Sequence, residues 1–109
     1  MKYIRTKDGI HIKNSFKDSL LEASENAIKQ ADTIEELCDA YVITSKQGHI
    51  YDTYGDYSYE LKQVLPQARK EEPDEDWDLY GCVLVNGIIK QVAKTNEKGE
   101  LELLWNQFY

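Results

Sequence analysis

The tract LYGCVLVNGIIKQVAKT, residues 79–95, constrains the fold more than any other part of the chain. One apolar run, Leu79–Val85, meets Asn86-Gly87, and a second run, Ile88–Thr95, follows at once. Asn-Gly supplies the positive φ angles of a two-residue turn whose twist matches paired strands, so the tract predicts an antiparallel hairpin. Glu97-Lys98-Gly99-Glu100 reads as a second turn. Leu101, Leu103 and Trp105 then alternate with Glu102 and Leu104 as a strand would. The C-terminal third therefore predicts a three-stranded meander.

Upstream, KYIRT (2–6) and IHIK (10–13) flank a turn at Asp8-Gly9 and read as an opening hairpin. Ser15 and Asp18 frame a capping box ahead of Phe16, Leu20, Leu21 and Ala23, which predicts a helix over 16–25. Residues 27–30 read either as a brief strand or as an extension of that helix. Asp32 ahead of Ile34, with Glu35 three residues on, predicts a second capped helix, its acids favoured by the helix dipole. Tyr41–Thr44 turns β-branched and aromatic, Lys46-Gln47-Gly48 is a turn, and His49–Thr53 a partner strand. Leu61, Val64, Leu65 and Ala68 give helical spacing over 57–69, with an interruption expected at Pro66. The fold class is α+β: a small single domain over residues 1–109, an N-terminal hairpin and C-terminal meander in antiparallel sheet, and two to three short helices.

The net charge of −7 is unevenly spread. Residues 1–49 carry seven basic and eight acidic groups, and residues 81–109 carry three of each. Residues 50–80 carry three basic groups (Lys62, Arg69, Lys70) against nine acidic ones, a net −6. A nucleic-acid binder shows the opposite sign, so direct binding to DNA or RNA is disfavoured. No apolar run approaches the roughly 20 residues of a membrane span, and the N-terminus lacks the apolar core of a secretory signal. Cys38 and Cys82 form no CxxC pair, which fits a cytosolic protein with two reduced thiols.

Within the acidic middle, residues 71–78 read EEPDEDWD. Asp74, Asp76 and Asp78 have the spacing that opens a calcium loop, but Leu79 stands where its glycine belongs and Val85 where its bidentate glutamate belongs. The same acids suggest a two-metal nuclease, though such ligands normally come from separate, rigid elements. His11, Cys38, His49 and Cys82 are zinc-ligand types without zinc-ligand spacing. The six glycines never cluster into a phosphate loop, and no serine or cysteine triad is recognisable. Neither a catalytic group nor a metal or other cofactor is therefore assigned.

An interaction surface remains. YDTYGDYSYE, residues 51–60, interleaves tyrosines with Asp52, Asp56 and Glu60, and the later run adds Trp77. Tyrosine and tryptophan anchor interfaces, and carboxylates around them complement a basic partner. The candidate partner-binding residues are Asp52, Tyr54, Asp56, Tyr57, Tyr59 and Glu60, with Glu71, Glu72, Asp74, Glu75, Asp76, Trp77 and Asp78. The alternative is that the tyrosines pack in the core while the acids form an ordinary solvated face.

MKYIRTKDGI, IKQADTIEELCDAYVI and IIKQVAKTNEKGELELL resemble stretches of small prophage and mobile-element proteins of Firmicutes. The likeness covers the opening hairpin, the capped helix with its strand, and the final hairpin, and leaves 45–80 unmatched. It carries over no catalytic residue. It implies a mobile-element origin and a place in the cytoplasm of a bacterial host cell, and small acidic proteins of such elements include anti-CRISPR inhibitors. The expectation is an inhibitor that binds a basic nucleic-acid-handling defence effector, such as the type II CRISPR nuclease Cas9 or its guide-RNA complex. The alternatives are a small metal-dependent nuclease and a structural or regulatory accessory protein of the element, and the oligomeric state is left open.

Overall fold

The computed structural model describes residues 3–6, 9–12, 29–85 and 87–104. The chain runs β1 (Tyr3–Thr6), β2 (Gly9–Ile12), β3 (Lys29–Ala31), α1 (Ile34–Leu37), β4 (Ala40–Ser45) and β5 (Ile50–Tyr54). Then come α2 (Tyr59–Glu71), β6 (Trp77–Val85), β7 (Ile88–Thr95) and β8 (Leu101–Leu103). All described strand pairs are antiparallel, in two sheets ordered β2-β1-β3 and β5-β4-β6-β7-β8. The α+β class holds.

The meander forms as the sequence predicts, with Gly87 at φ 76° in the β6–β7 turn. Asn86 lies outside the described residues, as do the 16–25 helix, residues 7–8 of the first turn, and Trp105. The meander is not a separate sheet. The β4–β5 hairpin joins its free edge through β4 and β6, from Ser45↔Trp77 to Ala40↔Cys82. Strand β3, read as 27–30 or as more helix, instead pairs with β1 through Tyr3↔Ala31.

Two local expectations shift. The cap of α1 is Thr33, whose Oγ1 accepts from Glu36 N–H at 3.2 Å, while Glu36 Oε2 accepts from Asp32 N–H at 3.1 Å. The box sits one residue later than the Asp32–Glu35 pair, because β-branched Thr33 takes the extended backbone a cap needs (φ −124°, ψ 160°). Helix α2 does not stop at Pro66 but runs on to Glu71. Leu61 and Leu65 before the proline and Ala68 after it are all buried, and that continuous apolar stripe outweighs a proline cost of about 3 kcal/mol.

Helix α2 lies over one face of the larger sheet. Strand β4 alternates strictly, with Tyr41, Ile43 and Ser45 inward and Ala40, Val42 and Thr44 outward. Leu79, Val83, Ala93 and Leu101 complete the inner face, with Leu37 and Cys38 from the α1 end. Gly81 is required here, since a Cβ would meet Cys38 Sγ at 2.6 Å. Among the described residues no helix is long and apolar enough to cross a membrane.

Candidate functional site

The acidic stretch does not hang free. Glu71 ends α2, Glu72 caps it, and Trp77-Asp78 already belong to β6. Pro66 fails to end the helix, but Pro73 lies just beyond its last turn. The connection is stitched to the β4–β5 turn. Gln47 Nε2 donates to Asp76 Oδ2 at 2.9 Å, and Asp76 N–H donates back to Gln47 Oε1 at 3.0 Å. Beside it, His49 Nδ1 and Glu75 Oε1 lie 2.5 Å apart, and Lys46 N–H donates to the Asp76 carbonyl.

Other acids of this run are committed in the same way. Asp78 is ion-paired to Arg69 at 3.3 Å and to Lys94 at 3.4 Å. Arg69 Nε also donates to the Trp77 carbonyl, so one guanidinium joins α2 to the start of β6. Glu71 accepts from the Tyr51 hydroxyl at 2.6 Å and from Gln67 Nε2 at 3.0 Å. These donors hold the Glu71 carboxyl below its usual range, and the carboxylate pushes the Tyr51 phenol up to about 12.

The aromatic residues divide between roles. Trp77, expected as an exposed anchor, is a core residue at 3% exposure, its Nε1 donating to the Glu72 carbonyl and its ring edge-on to Tyr51. Its place at the head of β6, with Ser45 opposite, turns the indole under α2. Tyr57 is half-buried. Its ring lies 5.1 Å from that of buried Tyr41, and its hydroxyl donates to the Gly99 carbonyl at 2.9 Å. Tyr54 is half-buried too, and burial raises its pKa. Tyr59 opens α2, and its side chain lies outside those described.

What is left is a smaller set than the sequence proposed. Among the described residues, Asp56, Glu60, Glu72 and Asp74 have no hydrogen-bonded or ionic side-chain partner, and all four are exposed. Asp52 accepts only from the neighbouring Thr53 N–H. Asp52, Asp56 and Glu60 line the approach to α2, and Glu72 and Asp74 its exit, so the helix separates them by its length of about 20 Å. Lys62 and Lys70 stand exposed between the two groups.

Asp76 and Asp78 turn to different partners, and no three ligating side chains converge among the described residues. Cys38 and Cys82 are buried free thiols. Burial pushes Cys38 up to about 12 and raises Cys82 as well, away from the thiolate that a ligand or nucleophile must be.

Asp39 escaped the sequence reading. It accepts from Leu84 N–H at 2.7 Å and pairs with Arg5 of β1 and Lys29 of β3, joining the two sheets. Burial works against its charge, yet the Leu84 amide and the Arg5 guanidinium hold its carboxyl below the ordinary range. Its partners lie 10 to 45 residues away, and nothing in the local pattern announces them.

The chain is similar to the Gene 19 protein of Mycobacterium phage L5, at 31% identity over 72 residues. The matched region covers 64% of this chain and 58% of that protein, so the chain spans less than two thirds of the relative's length. No family model matches the chain, and no solved structure does. The name Gene 19 protein states no activity. The similarity agrees with the coarse part of the mobile-element resemblance, a phage protein.

Proposed function

We propose that this is a phage-type accessory protein that acts by binding, presenting unpaired carboxylates to a basic, nucleic-acid-handling host protein. The observation that carries the reading is the set Asp52, Asp56, Glu60, Glu72 and Asp74, which the fold leaves exposed after its own ion pairs are made. Exposed like charges cost some stability in the free protein and are repaid on meeting cations. In its sharper form the protein is an inhibitor of host defence, with a type II CRISPR nuclease as the effector to test first. That class of enzyme holds guide and target in a basic channel and reads its short adjacent motif through arginines.

Co-elution of the purified chain with the nuclease–guide complex tests this. Binding is expected at low salt and should weaken as salt rises, since exposed charge pairs are screened. The variant Asp56→Asn/Glu60→Gln/Glu72→Gln/Asp74→Asn should lose affinity while keeping its melting temperature. Binding that ignores both salt and these four substitutions overturns the acidic-surface reading. Loss of nuclease binding alongside salt-sensitive capture by a different basic protein keeps the surface and changes the partner.

A further inference from the structure

We infer that the outer face of the five-stranded sheet, opposite α2, pairs two copies of this chain. This goes beyond the acidic surface and does not depend on it. Val42, Thr44, Ile50, Ile89 and Gln91 border an open, mostly apolar hollow of about 730 Å³ on that face. Ile50 is 66% exposed, Leu84 53% and Ile89 75%. Leu84 and Ile89 are register partners, so they form one apolar step at the end of the β6–β7 hairpin. The hairpin projects past β4, whose pairing with β6 ends at Cys82 while the β6–β7 ladder continues to Val85↔Ile88.

Charge identifies the occupant. The molecule carries −7, yet among the described residues the register puts only Lys94, Asp78 and Glu102 on this face, a net −1, with Lys90 at the border of the hollow. Asp78 and Lys94 already neutralise each other at 3.4 Å. A basic partner gains little here, and a neutral apolar one gains more. A second copy supplies a surface of that kind, and a two-fold pairing keeps both sets of unpaired acids away from the contact. Size agrees. The nine residues of β6 and a width of four strands span on the order of 30 by 20 Å, near one partner's share of a standard interface, about 800 Å². Association through the face is favoured over strand addition at the hairpin edge, because the Leu84 N–H there is taken by Asp39.

Sedimentation velocity on the full chain, from micromolar to hundreds of micromolar, tests the inference. A species near twice 12.7 kDa is expected, persisting or strengthening at high salt, where binding through the acids should fade. Ile89→Glu should raise the dimer dissociation constant at least about tenfold by burying a charge at the contact. Ile50→Lys, on the opposite border of the hollow, should do the same, and serves if Ile89→Glu fails to fold. Asp74→Asn, away from the face, should leave the dimer intact. A wild-type chain that stays monomeric throughout overturns the inference, including the case in which some other apolar partner covers the face. A dimer indifferent to both face variants overturns it equally.

Discussion

Asp56, just before α2, and Glu60, in its first turn, meet no side-chain partner among the described residues, whereas Asp76 and Asp78, after the helix, are both held by side chains from other elements. The two stretches read alike, each mixing carboxylates with aromatic rings. The later one closes a helix, turns, and opens the central strand of a sheet, so its side chains lie against neighbours. The earlier one begins on the edge strand β5, where one side faces solvent, and runs through exposed residues at 55–56 into the first turn of α2. Density of charge therefore says little about its use; the position of the segment in the sheet decides it.

The sharpest way to break the comparison is at the later stretch. Trp77→Ala should cost about 3–5 kcal/mol, the range for emptying a buried aromatic site, and a denaturant midpoint would show it. A small shift would mean the indole is a surface anchor after all. Asp78→Lys should come next, at about 1–2 kcal/mol, since it removes two ion pairs and sets a third cation beside Arg69 and Lys94. The estimate is modest because Arg69 is itself half exposed. A charge reversal across Glu72, Asp74, Asp76 and Asp78 thus mixes spare acids with structural ones, and loss of binding in such a variant would not separate the roles.

Acid titration sharpens the same contrast. Glu71 and Asp39 both have carboxyls held below their ordinary values of 4.5 and 3.8. A group depressed in the folded state contributes stability that is full above its unfolded pKa and is lost as pH falls through the folded one. Melting temperature should therefore decline below about pH 4.5 through these residues. Tyr51→Phe should let the Glu71 carboxyl return toward its ordinary value, which a carbon-detected NMR titration would follow. An unmoved Glu71 would mean that Gln67 alone sets its charge.

How much of this was legible beforehand follows from the range of each interaction. The β6–β7 hairpin rests on Asn86-Gly87 and two adjacent apolar runs, so it was readable from a short window. The union of β4 with β6 joins residues more than 30 apart across a helix, and no local pattern encodes it. The α1 cap lies one residue past the Asp32 that the pattern indicates, because Asp32 and Thr33 are both good caps and only the backbone distinguishes them. In the candidate site the acids were visible, but which of them were spoken for was not. Gln47 and Lys94, which hold Asp76 and Asp78, come from the β4–β5 turn and from β7, on either side of β6.

The smallest expected effect on stability belongs to the earlier stretch, and it is the most telling. Asp52→Asn, Asp56→Asn and Glu60→Gln together should change stability by no more than about 0.5 kcal/mol, as exposed substitutions do, since the amide oxygen that replaces the Asp52 carboxylate can still accept from Thr53 N–H. Glu60 sits in the first turn of α2, where a negative charge is favoured, so that substitution should cost a few tenths. Removing Asp52 and Asp56 should give about as much back by easing repulsion in a segment of net −6. If the triple variant stays this stable yet loses its basic partner, these carboxylates serve binding alone. If it loses stability on the scale of Asp78→Lys, the earlier stretch is as structural as the later one, and the contrast between them dissolves.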